Sequence, residues 1–264
     1  MIKSITAYGI LILSIFSICS CQKQAEYDSD FVQERLNQVG YSTPDWWAFL
    51  DSLIVEYPDE AFPYYRKGLQ LVRENNYIEG MPLMERAAEL NPYMYANYVG
   101  SIKLVNLADY EGAIELFQTA IRHNNHVDIV IPGSAYERLG ITYKEMGNYE
   151  KSISTFDAYI KKFGEDGVDL YTFMYNGIAK YNIGDFDGAM KDFDTIIRKW
   201  EKCPEAYYHK GIVYKKQGNN SLACKQFKKA LLYQNFIRGS PSGTYIDQLY
   251  VVDIERMFDS TCRE

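Results

Sequence analysis

Histidine is scarce in this 264-residue chain, with His123, His126 and His209 making up the whole supply. General acid–base catalysis near neutral pH draws most often on imidazole, so the means for proton-transfer chemistry are thin. Neither a glycine-rich phosphate loop nor a nucleophile elbow occurs, which removes the commonest nucleotide and acyl-transfer signatures. Basic runs are missing too. Lys and Arg total 28 against 35 Asp and Glu, for a net charge of -7, and no stretch is fit to release counterions from a phosphate backbone. Nucleic acid is therefore not an expected partner. What the chain has is 47% hydrophobic and 24% charged residues, the balance of a folded soluble protein with a core rather than a disordered, collagen-like or polytopic membrane chain.

The first twenty residues read as a secretory signal. Lys3 supplies a short positive region and Ile5 to Ile18 an apolar stretch, before Cys19, Ser20 and Cys21. The run Ile18, Cys19, Ser20, Cys21, Gln22 resembles the lipobox of bacterial lipoproteins: an aliphatic residue at minus three, a small one at minus one, and Cys at plus one. By that resemblance Cys21 becomes the lipidated N-terminus, and the chain meets a membrane through this anchor. Ile18 is too bulky for the minus-one position that Cys19 would need. The alternative is an uncleaved anchor, since Ile2 to Cys21 is just long enough to cross a bilayer that takes about 20 apolar residues. Gln22 in place of Asp points to an outer-membrane address in that lipoprotein pattern. Lys23 and Glu26 leave a surface-exposed destination open beside a periplasmic one. Residues 21–30 are polar and read as lipidated cysteine and tether.

The body repeats itself. An interval of sixteen from a small residue to a large apolar one returns five times: Gly68 to Met84, Ser101 to Phe117, Gly140 to Phe156, Gly177 to Phe193 and Gly211 to Phe227. A second small residue, Gly80, Ala113, Ser152, Ala189 or Ala223, stands twelve after the first. In three copies a glycine follows at seven, Gly147, Gly184 and Gly218, with Asn or Asp next to it. A glycine suits the left-handed position past a helix end, and Asn or Asp can cap the helix that follows. Each copy thus reads helix, tight turn, helix. Small residues where the helices cross let the backbones approach closely while aromatics such as Tyr64, Tyr136, Phe173 and Tyr207 fill the space beside them.

These residues resemble the tetratricopeptide repeat, a unit of about 34 residues in two helices with an aromatic, Leu-Gly, Tyr, Ala, Phe, Ala, Pro signature. Unit one keeps Tyr64, Gly68, Leu71, Ala87 and Pro92, and unit five keeps Tyr207, Gly211, Tyr214, Ala223, Phe227 and Ala230. Unit two departs with Asn97 in an aromatic position and unit four with Lys180 in place of Tyr. The resemblance implies an all-α, tetratricopeptide-type helical solenoid, a right-handed superhelix of antiparallel helix pairs. Five units are expected over 61–236, at about 61–93, 94–126, 133–166, 170–203 and 204–236, with extra residues near His123 to Gly133 and Lys162 to Asp169. Residues 31–60 are read as N-terminal capping helices, starting one of them at Thr43, Pro44 and Asp45. Residues 237–264 are a linker and C-terminal capping helix, with Ile246, Leu249, Tyr250, Ile254 and Phe258 on one side. Such flanks shield the bare ends of a solenoid.

Once Cys21 is assigned to lipid, Cys203, Cys224 and Cys262 remain, an odd number. Cys203 and Cys224 lie about a helix length apart, against the roughly 7 Å that a bond allows between Cα atoms, which leaves Cys224 with Cys262 open.

In the resembled family the first helices of successive units line a concave groove for a protein or peptide. Its facing positions fall here on Tyr65, Arg66 and Arg73; Tyr98 and Asn106; Glu137, Arg138 and Lys144; Tyr171, Tyr175, Tyr181 and Asn182; and Tyr208, His209, Lys215 and Lys216. Tyr and Arg are frequent binding anchors. The clamp that grips acidic C-termini in this family uses Lys and Asn where this chain has Tyr65 and Leu69, so that clamp is not implied. The resemblance to lipidated members of the family implies a non-catalytic scaffold serving barrel assembly, pilus biogenesis or protease recruitment in the cell envelope. A carbohydrate-binding or hydrolytic lipoprotein using the tyrosine-rich groove is the alternative. No cofactor is expected. His123, His126 and Asp128 lack a further Cys or His at zinc spacing. Asp185 and Asp187 before Gly188 read as turn and cap rather than calcium loop, and Ser134 with Glu137 as a capping box.

Overall fold

The computed structural model describes residues 27–123, 135–237 and 249–262. Among them lie thirteen α-helices and no strand. The first two, α1 (Ser29–Val39) and α2 (Pro44–Glu56), form the N-terminal cap. Thr43 caps α2, its side chain accepting from the Trp46 amide, with Pro44 in the first turn where a missing N–H costs nothing. The helical part of this cap reaches back to Ser29, capped by Asp28, so the stretch read as a tether extends less far than residue 30. Trp46, Leu50 and Leu53 bury themselves against Val32 and Leu36.

Five helix pairs follow. The first helices are α3 (Ala61–Arg73), α5 (Pro92–Ile102), α7 (Ala135–Glu145), α9 (Leu170–Asn182) and α11 (Pro204–Lys216). Their partners are α4 (Tyr77–Leu90), α6 (Tyr110–His123), α8 (Tyr149–Phe163), α10 (Phe186–Lys199) and α12 (Asn220–Leu232). Every pair turns through a residue at positive φ: Asn75 at 61°, Ala108 at 50°, Gly147 at 72°, Gly184 at 84° and Gly218 at 76°. The next residue then caps the second helix. Asn76, Asp109, Asn148, Asp185 and Asn219 each accept from the backbone N–H three residues on. The glycine turns of units three to five were visible in the sequence. Units one and two make the same turn with Asn and Ala, the latter at a cost of roughly 1–2 kcal/mol for the left-handed backbone.

At the crossings a Cβ on Gly140 or Gly177 would sit 2.7 Å from the ring of Phe156 or Phe193, which fixes glycine there. Met84, Phe117, Phe156, Phe193 and Phe227 are all essentially fully buried, each contributing about 1.5–3 kcal/mol by leaving water. Unit two corrects the sequence register. The residue under the Phe117 ring is Gly100, at 2.8 Å, rather than Ser101. One residue more than in the other copies therefore separates the crossing from Ala113, and the chain absorbs it as a π-helical turn at Lys103–Leu107. Ala96, fully buried, then takes the position at which Asn97 stood as an anomaly.

Helix α13 (Val251–Cys262) closes the other end. Leu249 and Ile254 bury against Tyr207 and Ala230. Tyr250, placed on the buried side by the sequence pattern, is exposed because the helix begins at Val251. Ile246 lies outside the described residues. A Cys224–Cys262 disulfide, with Cα atoms 5.3 Å apart, ties α13 to α12, while Cys203 is buried and free. No helix among the described residues is long and apolar enough to cross a membrane.

Candidate functional site

Curvature places the site. The first helices α7, α9 and α11 pack on one another as well as on their partners, and the second helices do not pack on each other to the same extent. From α7 to α11 the stack is therefore shorter on the side of the first helices, which makes that side the inner face; α3 and α5 meet on the same side through the Tyr65–Tyr95 stack.

At its N-terminal end this face is built of tyrosine and arginine. Tyr65 of α3 stacks on Tyr95 of α5 with centroids 4.5 Å apart and meets Tyr98 edge-on at 6.1 Å. Burial raises the Tyr65 hydroxyl above its ordinary value and pushes Tyr95 up to about 12, so both stay neutral hydrogen-bond donors at physiological pH. The Arg66 guanidinium lies 5.9 Å from the centroids of both Tyr41 and Phe62, within cation–π range. Arg73, two turns further along the same face of α3, donates from Nη1 to the Tyr41 hydroxyl at 3.0 Å. Tyr41 comes from the turn between α1 and α2, so the N-terminal cap contributes to the face it shields. Tyr41, Phe62 and Tyr95 were not among the sequence candidates. Tyr95 stands off the repeat position of Tyr65, whose counterpart by the sequence repeat is Tyr98, and nothing in the Gly40-Tyr41-Ser42 turn marks Tyr41.

The other candidates are dispersed. Asn106, carried outward by the π turn, donates to the Tyr77 hydroxyl at 3.2 Å. Glu137, Arg138, Lys144, Tyr171 and Tyr175 are buried, the last with 2% of its surface exposed, and none of them presents a free contact surface. Arg138 donates to the Ser101 hydroxyl. Lys144 lies 5.4 Å from the Tyr175 ring centroid and pairs with Glu145. Tyr175 stacks on Phe156 and lies beside Tyr171. Burial, reinforced by the Asp169 charge and opposed by Arg138, raises the Glu137 carboxyl to about 7. Tyr181 leans on Phe186, and Asn182 donates to the Ile178 carbonyl of its own helix. His209 stacks on Phe193 at 5.5 Å with Tyr208 edge-on to it, and Lys215 donates to Ser260 of α13. Lys216 is exposed.

Cys21, His126, Asp128 and Ser134 lie outside the described residues. Among the described ones no three His, Cys, Asp or Glu side chains stand together as a metal site would need. Asp185 serves as the cap of α10, accepting from Gly188 N at 2.9 Å. On the opposite, outer face, α4 and α6 frame a cleft of about 490 Å³ that includes Glu85, Glu89 and Glu115, with Lys103 tied to Glu85 at 2.6 Å.

The geometry is that of a helical-repeat solenoid whose inner face displays side chains from successive first helices. Profiles described as tetratricopeptide repeat match residues 134–166 and 176–242. The TPR repeat-containing protein MJ1428 of Methanocaldococcus jannaschii is 31% identical over 183 residues, covering 65% of this chain. That alignment spans only 28% of the relative's own length. Among solved structures, YrrB, described as a TPR protein with an unusual peptide-binding site, is 21% identical. It covers 71% of this chain and 93% of its own at a TM-score of 0.55. PilW, described as a type IV pilus biogenesis factor, is 13% identical with 78% and 92% covered and a TM-score of 0.54. At these identities the two structures establish the fold alone. The chain carries tetratricopeptide repeats over residues 134–166 and 176–242.

Proposed function

We propose that the chain is a lipid-anchored, non-catalytic scaffold of the bacterial cell envelope that holds a protein or peptide partner along its inner face. The observation that carries this reading is the joined surface of Tyr65, Tyr95 and Tyr98 with Arg66 and Arg73, five anchor-type side chains contributed by two successive first helices. YrrB, whose described property is a peptide-binding site, supports it by likeness of fold. The lipobox resemblance at Cys21 gives the anchor, and Gln22 gives the outer membrane, on its periplasmic or its outer side. The Cys224–Cys262 disulfide supports export, because such bonds persist mainly in oxidising compartments.

Two experiments test the two halves. Affinity capture from detergent-solubilised membranes compares the native chain with a Tyr65→Ala, Tyr98→Ala, Tyr208→Ala variant whose helicity is checked by circular dichroism. A stoichiometric protein partner lost from the folded variant supports the scaffold, and retention of that partner refutes the inner face as its site. Metabolic labelling with a fatty acid tests the anchor. Label that survives Cys21→Ser sinks the lipidation assignment.

A further inference from the structure

We infer that the Arg66–Arg73 end of the inner face takes an extended acidic segment of the partner, with two carboxylates three residues apart and apolar side chains between them. The inference rests on the inner face being the partner surface, and it adds the chemistry of what binds there.

The charges are the first argument. This chain has more acidic than basic residues; Arg86, Arg198 and Arg256 each hold a carboxylate of their own, and the exposed Arg35 and Arg122 donate to Gln38 and Thr119 of their own helices. Arg66 and Arg73 form no ion pair among the described residues, and the Arg66 Nε is buried without a hydrogen-bond partner. The nearest acid in the network, Glu74, is occupied elsewhere: its Oε1 accepts from Gln70 Nε2 at 2.6 Å and from Ser42 Oγ at 3.2 Å. Two guanidinium groups thus stay unpaired on a half-buried aromatic surface. There a carboxylate would meet the bidentate fork that arginine offers to planar anions.

Preorganisation is the second argument. Tyr41 and Phe62 hold the Arg66 head between their rings, and the Tyr41 hydroxyl fixes Arg73 while itself donating to Gln70 Oε1. Less side-chain entropy is then left to lose on binding. Spacing sets the register. Arg66 and Arg73 are seven residues apart on α3, roughly 10 Å along its axis at 1.5 Å per residue. A peptide extended in the polyproline-II conformation covers that in about three residues at about 3.1 Å each, and its three residues per turn put the two acids on the same side. The Tyr65, Tyr95 and Tyr98 rings flank this line and favour apolar or aromatic side chains between the two acids. Arg73 belongs to a chain whose outer cleft is acidic, so charge also tells the two faces apart.

The test is fluorescence anisotropy with the full mature chain in detergent and a labelled octapeptide, Gly-Ser-Glu-Leu-Tyr-Glu-Gly-Ser. Its controls carry Gln at both acidic positions, or both Glu side by side. The acidic peptide is expected to bind about tenfold tighter than the Gln peptide and to weaken as salt rises. Arg73→Gln, an exposed change that leaves the helix packing alone, is expected to cut its affinity about tenfold. Arg66→Lys, which keeps the charge and loses the fork, should fall between Arg73→Gln and the native chain. Less than a threefold preference for Glu over Gln, an unaltered affinity in Arg73→Gln, or no binding of any peptide overturns the inference. Capture of a protein partner that depends on Tyr65, Tyr98 and Tyr208 would then still stand, so the acidic register and the scaffold fail separately.

Discussion

Replacing Cys224 by Ser cuts the one covalent tie of the C-terminal cap, and the structure gives the size of the effect. The bond spans a sequence separation of 38 residues. Loop-closure entropy for a loop of that length is worth about 4 kcal/mol at 25 °C. In a solenoid the contacts lie between neighbours, so the loss falls on the docking of α13 over Tyr207 and Ala230 rather than on the far units. At about 1.4 kcal/mol per factor of ten, the opening equilibrium of the cap rises by up to about a thousandfold. Native-state hydrogen exchange over 251–262 reads this directly. Protection in that helix should collapse in Cys224→Ser, and in the native chain once reductant is added, while α3 to α8 keep theirs. Thiol titration supplies the control: in denaturant the unreduced native chain should lack the two thiols of Cys224 and Cys262, which appear on reduction, while buried Cys203 titrates in both states. Cap amides equally protected with and without Cys224 would refute the reasoning.

Three further outcomes follow from the packing and the buried charges. Gly177→Ala forces a Cβ to 2.7 Å from the Phe193 ring. Overpacking of about 1–3 kcal/mol then outweighs the roughly 1 kcal/mol gained in helix propensity, and adding Phe193→Leu should recover part of the loss in a double-mutant cycle of urea midpoints. Burial holds the Glu137 carboxyl at about 7 against an ordinary 4.5, and holds Asp192 at about 6 beside Lys180. Both acids bind their protons more tightly folded than unfolded, so as far as these groups decide it stability is greatest below about pH 3.8, where Asp192 is protonated in either state, and declines as pH rises towards 7. Glu137→Gln should flatten that decline by up to about 3 kcal/mol in melts taken between pH 5 and 8. Deleting Val105, an exposed residue of the π turn, should restore the ordinary helical period and leave the melting temperature nearly unchanged. A fall of about 10 °C would show that the turn does not simply house an extra residue.

Much of this fold was legible because its cause is local. Gly147, Gly184 and Gly218 announced their turns, since few residues tolerate positive φ, and the Asn or Asp after each announced a cap. Asn75, of a type that also enters the left-handed region, was a weaker signal, and Ala108 makes the same turn without any. Counting by sixteen chose Ser101 over Gly100 because a spacing rule assumes a constant helical pitch, which the π turn breaks. The inner face was legible only in part. Tyr65, Arg66, Arg73 and Tyr98 do come together. Glu137, Arg138, Lys144, Tyr171 and Tyr175 occupy the same repeat positions and are buried, because that position faces either solvent or a neighbouring helix depending on how closely successive first helices approach. Tyr41 escaped notice because it reaches Arg66 and Arg73 from outside the repeats.

The π turn at Lys103–Leu107 works as a slip joint. One added residue turns the helix beyond it by about 100°, yet the joint discharges that rotation within a single turn, and Ala113 and Phe117 arrive in phase with every other copy. Such a joint lets one rung of the ladder gain or lose a residue, and so swap which side chain it shows to a visitor, while the rungs on either side stay where they were.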